Sequence, residues 1–390
     1  MPRLIKTNFL SFIASHIIAY PTPINLNFLW SFGSLLGLGL VIQVITGIFL
    51  AMHYTPHMEY AFLSIEHIMR DVQYGYILRY AHSNGASMLF FLIYLHMFRG
   101  IFYGSFVNNI LLWWSGLILF LLMMGTAFLG YVLPWGQMSL WGATVITNLA
   151  SAIPFVGSSI VEWLWGGFSV DNATLNRFFS LHYCLPFIIL GLIVVHLAFL
   201  HSTGSSNPLG VMTTSSKIAF YPFFYVKDLF AFLLYLTIFS TFVFFFPNVL
   251  GHPDNYIMAN PMVTPAHIVP EWYFLPFYAI LRAFPNKIIG VMAMLLAIII
   301  LGFFPVVKPN NFKSAYFKPI YQLLFWFFIA IFILLGWLGQ KSATAPYVHL
   351  SLLAAHLYFF ILIIMIFILP LLDFLFIYIL KNPNYNIYLK

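Results

Sequence analysis

The chain has 390 residues, 62% hydrophobic and 20% aromatic, with only 6% charged and a formal net charge of +7. Soluble globular chains carry about 25% charged residues, so this composition excludes a soluble domain and points to a polytopic membrane protein. The basic residues form no run, which excludes a nucleic-acid-binding arm. The single cysteine, Cys184, excludes an intrachain disulfide and a Cys-x-x-Cys-His heme attachment.

In chain order, the first 30 residues carry the pattern of neither a secretory signal nor a transit peptide. Beyond them, long stretches lack Asp, Glu, Lys and Arg, and about 20 apolar residues suffice to cross a bilayer. The sequence predicts an all-α polytopic membrane protein with eight transmembrane helices, at about 31–53, 75–103, 112–133, 174–202, 228–247, 288–307, 320–339 and 347–370. The connections 134–173 and 248–287 are rich in Pro, Trp and Tyr, too apolar for solvated linkers. They are predicted to fold as short helices at the membrane surface, where Trp and Tyr prefer to sit. A division after about residue 215 separates four helices with the histidine pairs described below (1–215) from four without them (216–390).

Loop charges orient the chain. With eight spans both termini share one side, which receives Arg3, Lys6, Arg99, Lys217, Lys227, Lys308, Lys313, Lys318, Lys381 and Lys390 against Asp228 and Asp373. Six of the sixteen cations and seven of the nine acids remain for the other side. The positive-inside bias therefore places both termini on the negative side, cytoplasm or matrix. The abundance of Phe, Tyr and Ile is a hint of synthesis inside an organelle.

Four histidines carry the chemistry. His82 and His96 lie 14 residues apart on the second predicted helix, and His182 and His196 lie 14 apart on the fourth. Fourteen residues bring a helix back within about 40° of whole turns and rise roughly 21 Å. Each helix thus presents two imidazoles on one face, one toward each side of the membrane. Both helices run in the same direction, so equal depth pairs His82 with His182 and His96 with His196. Two such pairs suit two bis-imidazole hemes, whose filled axial positions favour electron transfer over oxygen binding. The alternative is four histidines hydrogen-bonded across helices. Gly33 and Gly47 repeat the spacing of 14 on the first helix and Gly116 and Gly130 on the third, where small residues let a macrocycle or a backbone come close. Arg79 and Arg99 stand one turn from His82 and His96, toward the nearer surfaces. They are placed either to pair with heme propionates or to snorkel.

The motifs Gly130-Tyr131-Val132-Leu133-Pro134-Trp135-Gly136-Gln137-Met138, Trp141-Gly142-Ala143-Thr144-Val145-Ile146-Thr147-Asn148 and Pro270-Glu271-Trp272-Tyr273 make the chain resemble mitochondrial cytochrome b, from about Trp30 to at least residue 340. That family forms the core of ubiquinol–cytochrome c reductase, respiratory complex III. The resemblance implies two noncovalent b-type hemes, of low potential at His82/His182 and of high potential at His96/His196. It implies ubiquinol and ubiquinone as substrates, and as partners a Rieske iron–sulfur protein, a c-type cytochrome subunit and the core and accessory subunits of a homodimeric complex in the lipid of the mitochondrial inner membrane. The chloroplast counterpart is split over two chains and has one extra residue in its second histidine spacing, so this chain looks like the respiratory type.

Glu271 stands out by chemistry alone, a carboxylate amid Pro270, Trp272, Tyr273 and Phe274. Apolar surroundings raise a carboxyl pKa and suit it to take a proton from a hydroquinone; a buried structural acid is the other reading. The resemblance favours the proton acceptor and implies that Phe128, Tyr131, Gly142, Ile146 and Tyr278 line the same quinol pocket. On the negative side, His201 lies five residues beyond His196, Ser205 follows, and Lys227-Asp228 opens the fifth helix. Read from the residues, these are an interfacial histidine and an acid at a helix N-terminus. The resemblance makes them, with Ser34, a quinone-reduction site. Phe98 and Ser31 depart from the family pattern beside the negative-side histidines. His16, His53, His57, His67, His252, His267, His349 and His356 read as loop or interfacial residues. Two other functions are consistent with eight spans. A proton-relaying transporter needs polar groups at the midplane, and a two-heme carrier serving a separate dehydrogenase would not depend on Glu271.

Overall fold

The computed structural model describes residues 11, 14–211, 215–306 and 313–381; Arg3, Lys6, Lys308 and Lys390 of the charge count lie outside the described residues. Among the described residues seven helices are long and apolar enough to cross a membrane: Phe28–Ala51, Gly75–Phe102, Ile110–Val132, Asn172–Thr203, Phe223–Phe245, Pro319–Gln340 and Tyr347–Leu375. The eighth expected span, 288–307, is shorter, at Lys287–Phe303. Gly302 weakens its end, and Pro305 supplies no N–H and restricts Phe304, so the helix stops there.

In chain order the helices are α1 (Phe32–Ala51), entered through a 3-10 turn at Phe28–Ser31, α2 (Ala61–Arg70), α3 (Gly75–Phe102), α4 (Ile110–Val132), α5 (Gln137–Thr147), α6 (Gly157–Trp165) and α7 (Asn172–Thr203). There follow α8 (Phe223–Phe245), α9 (Leu275–Ala283), α10 (Lys287–Ile299), α11 (Pro319–Gln340), α12 (Tyr347–Ile363) and α13 (Leu369–Lys381). Local chemistry sets the boundaries. The Asn109 side chain accepts from the Leu111 and Leu112 N–H groups and opens α4. Asp171 and Thr174 form a capping box at α7, and Gly204, at φ +82°, ends it. The two apolar connections fold as short helices, α5 and α6 in one and α9 with two 3-10 turns in the other. Helix α2, in the loop after the first span, has no counterpart among the predicted elements.

Helix α1 packs along α3, and α4 along α7, giving two antiparallel pairs. Strand β1 (Pro21–Pro23) pairs antiparallel with β2 (Lys217–Ala219), tying the chain ahead of α1 to the chain after α7. The largest core joins α3 and α4 to α9, α11 and α12, around Phe90, Tyr94, Phe120, Phe277, Phe328, Phe332 and Tyr358. Within it the Phe90 and Tyr273 rings stack at 4.1 Å and 3°. Trp272 Nε1 donates to Ser87 Oγ at 3.1 Å, and the Tyr94 hydroxyl donates to the Tyr273 carbonyl. Side chains of α3 thus anchor the loop that carries Glu271.

Candidate functional site

The four histidines face inward between the two helix pairs, each against one of the four glycines. A Cβ on Gly47 would lie 3.1 Å from the His82 ring, one on Gly116 3.2 Å from His196, and one on Gly33 3.5 Å from His96; on Gly130 it would overlap the His182 ring. The His82 and His182 rings stand 6.1 Å apart, centroid to centroid, at 84°. Two imidazoles sharing one metal through bonds of roughly 2 Å each, with the ring radii added, stand about 6 Å apart.

Hydrogen bonds to Nδ1 decide which ring nitrogen is left for a metal. His182 Nδ1 lies 2.7 Å from the Thr126 carbonyl oxygen, which only accepts, so Nδ1 carries the proton and Nε2 keeps its lone pair. Thr46 Oγ1 gives its own proton to the Ile42 carbonyl at 2.7 Å and therefore accepts from His82 Nδ1 at 2.9 Å. Ser115 does the same for His196, donating to Leu112 at 2.9 Å and accepting from Nδ1 at 2.8 Å. Outer partners of this kind orient metal-binding histidines. His96 differs. Its Nδ1 faces Arg99 Nη2 at 3.2 Å, and a guanidinium only donates, so Nε2 is freed when Arg99 turns away. Arg99 Nε is buried without a hydrogen-bond partner. Among the described residues the ion pairs are His67–Asp71, Arg70–Glu66 and Lys318–Asp373, so neither Arg79 nor Arg99 is in direct contact with a carboxylate, and Glu271 acts on Arg79 only from beyond contact range. Paired imidazoles, glycines against their rings and two arginines outside any contact ion pair fit b-type hemes with anionic propionates.

A cavity of about 520 Å³ continues from His82 and His182 to Arg79, Tyr131 and Glu271, with Gly47 and Gly130 in its wall. Burial pushes the Glu271 carboxyl up to about 7, with the Tyr131 hydroxyl and the Arg79 guanidinium pulling it part of the way down. The Tyr131 hydroxyl is buried and meets no partner at full hydrogen-bond geometry. At the opposite end of the bundle His201, at the last turn of α7, stacks on Tyr20 at 4.6 Å and on His16 at 5.2 Å. Asp228, in the first turns of α8, faces Ser31 and Ser34, and the Ser34 hydroxyl donates to the Ser31 carbonyl at 2.9 Å. Lys227 turns from Asp228 to the Leu26 carbonyl and the face of Phe28. Ser205 lies beside the Tyr20 hydroxyl.

Residues 17–204 match the family model described as "Cytochrome b/b6/petB", and residues 258–360 the one described as "Cytochrome b(C-terminal)/b6/petD". The cytochrome b of Chondrus crispus is 57% identical over 365 residues, covering 93% of this chain and 96% of its own. That of Marchantia polymorpha is 60% identical over 358 residues, covering 92% and 89%. The chain belongs to the cytochrome b family. A solved chain titled "Hyperthermophilic respiratory Complex III" superposes on it with a TM-score of 0.89 at 31% identity, covering 95% of this chain and 98% of that one. Cytochrome b as a family carries b-type hemes, which agrees with the donor set above.

The remaining candidate residues of this cytochrome b are spread more widely. Glu271, Tyr131 and Arg79 share the histidine cavity, whereas Phe128, Gly142, Ile146, Pro270, Phe274 and Tyr278 are outside its lining. Phe128 packs on Phe178 at 5.7 Å, and Phe274 on Phe90 and Tyr273. The Tyr278 hydroxyl donates to the Ile268 carbonyl at 3.2 Å beneath the Arg282 guanidinium. Gly142 on α5 faces open space, where an added Cβ would meet nothing within 4 Å. Sequence reasoning missed Thr46 and Ser115, although each immediately precedes one of the glycines spaced by 14, and it passed over His16 and Tyr20.

Proposed function

We propose that this chain is the di-heme core of a respiratory quinol–cytochrome c reductase, complex III, working by a Q cycle in the mitochondrial inner membrane with both termini in the matrix. Residues 1–215 form the four-helix heme bundle, and residues 216–390 form a second unit that carries Glu271. His82 and His182 hold the low-potential heme and His96 and His196 the high-potential one, with Arg79 and Arg99 paired to propionates. When bound, the two hemes supply a one-electron path across the membrane.

At the positive side the Glu271 carboxylate takes a proton from ubiquinol, and Tyr131 and Arg79 hold that carboxylate at the edge of the histidine cavity. Phe128, Gly142, Ile146, Pro270, Phe274 and Tyr278 shape the quinol pocket. Each ubiquinol gives up two electrons and two protons. One electron passes to a Rieske iron–sulfur protein and on to a c-type cytochrome, and the other crosses the bundle. At the negative side His201 and Asp228 hydrogen-bond the two quinone carbonyls and supply the protons that reduction consumes, with Ser34, Ser205 and Lys227 around them. The partners are these two redox subunits, the core and accessory subunits of a homodimeric complex, and membrane lipid.

The observation that carries this reading is the continuous cavity joining the His82/His182 pair to Glu271, whose carboxyl sits at about 7. Steady-state cytochrome c reduction by ubiquinol in the assembled complex, wild type against Glu271→Gln, tests it. The variant keeps its hemes and loses most of its turnover. Unchanged turnover in the variant overturns the proton-acceptor role.

A further inference from the structure

His201 is held differently from the four inward-facing histidines. The β1–β2 pairing fastens the chain ahead of α1 against the end of α7, reinforced by the Phe220 N–H donating to the Tyr20 carbonyl and the Tyr221 N–H to Ile18, both at 3.0 Å. This delivers two rings to one imidazole. Tyr20 lies 4.6 Å from His201 at an interplanar angle of 22°, and His16 lies 5.2 Å away at 20°. The Tyr20 hydroxyl is directed to the Leu200 carbonyl at 3.5 Å, so the phenol is tied at both its backbone and its tip. Among the described residues neither nitrogen of His201 makes a hydrogen bond, although the ring is half-buried. The imidazole therefore has aromatic rings stacked on it and donor and acceptor edges left over.

Ring stacking restricts the plane of a side chain without using its in-plane hydrogen-bonding groups. A quinone carbonyl accepts a hydrogen bond near its own plane, so a histidine serving it must present an N–H edge at a set tilt. We propose that Tyr20 and His16 are positioning residues for quinone reduction, clamping the His201 ring so that it meets a quinone carbonyl edge-on. The inference rests on the assignment of His201 to the negative-side quinone site. The phenyl ring of Tyr20 carries the effect, and its hydroxyl, set between the Leu200 carbonyl and Ser205, only helps to hold the ring in place. Ser15 Oγ, 2.9 Å from His16 Nδ1, orients the second ring in turn.

The test compares Tyr20→Phe, Tyr20→Leu, His16→Ala and His201→Leu in the assembled complex. The measurements are KM and kcat for negative-side reduction of a short-chain ubiquinone, beside positive-side quinol oxidation and heme content. Loss of one aromatic pair corresponds to roughly a two- to tenfold change. Tyr20→Leu raises KM for quinone by about that factor, His16→Ala raises it by less, Tyr20→Phe restores the wild-type value, and heme content and quinol oxidation stay unchanged in all three. Equal KM in Tyr20→Leu and wild type, with His201→Leu impaired, overturns the clamp alone. Wild-type quinone binding in His201→Leu overturns the site on which it rests. A Tyr20→Leu defect that extends to heme content or is not rescued by Phe assigns Tyr20 to folding and also overturns the clamp.

Discussion

Alanine at Gly130 is the sharpest probe of the histidine frame, because the glycines spaced by 14 differ in how closely they approach the rings. A Cβ at Gly130 would come within 3.0 Å of three atoms of the His182 ring, whereas at Gly33 it would meet His96 Cε1 at 3.5 Å, an ordinary contact. Gly125, on the same helix as Gly130, would meet nothing within 4 Å. His182 cannot simply retreat, since its Nδ1 is bonded to the Thr126 carbonyl at 2.7 Å and its ring opposes His82 at 6.1 Å. Overpacking of this kind costs typically 1–3 kcal/mol, which at about 1.4 kcal/mol per tenfold weakens retention of one heme by roughly 5- to 150-fold. Gly33→Ala and Gly125→Ala keep both hemes, and the helix gains about 0.5–1 kcal/mol from losing a glycine. Heme per chain by pyridine hemochrome, with reduced-minus-oxidised spectra of the assembled complex, reads the result. Gly130→Ala loading both hemes with an unshifted spectrum, or Gly33→Ala losing one as readily, refutes the reasoning.

Three further outcomes follow. A base must be ionised to accept a proton, and a carboxyl at about 7 is neutral in acid; quinol oxidation therefore rises with pH through about 7 in wild type, and Glu271→Gln removes that limb from initial rates measured across neutrality. A variant that keeps the same rise shows that another group titrates. Thr46→Val and Ser115→Ala remove the hydroxyl acceptors of the His82 and His196 Nδ1 protons, and each lowers affinity at its own heme by about 10- to 100-fold in heme titrations, while the other heme is retained. Asp373→Asn removes the charge from the 2.7 Å contact with Lys318, at side chains 38% and 18% exposed; screening limits the loss to under about 1 kcal/mol, so thermal unfolding shows only a small shift.

The features legible in the chain were those with a short-range period or a strong chemical contrast. His82/His96 and His182/His196 announce themselves because charge-free helices tolerate few polar groups, and Glu271 because four apolar neighbours surround one acid. Span limits were readable to within about five residues throughout, and at 288–307 Gly302 and Pro305 cut short a run that hydropathy alone extends. Long-range pairing was not readable. Pro21-Thr22-Pro23 argues against a strand by its prolines, yet as β1 it brings Tyr20 and His16 onto His201, so His16 looked like any interfacial histidine. Nor does spacing reveal that the glycines face the imidazoles one to one, or that Tyr131 and Arg79 share the Glu271 cavity while Tyr278 does not. These depend on helix rotation, which a period of 14 leaves open to within about 40°.

The central claim, two hemes held by His82/His182 and His96/His196, is tested most directly by counting b hemes per chain in wild type and in His182→Ala, by pyridine hemochrome and redox difference spectra. Wild type carries two hemes, and the variant loses one spectral component while the other stays unshifted. A folded wild-type protein without heme, or a variant that keeps both components, contradicts it.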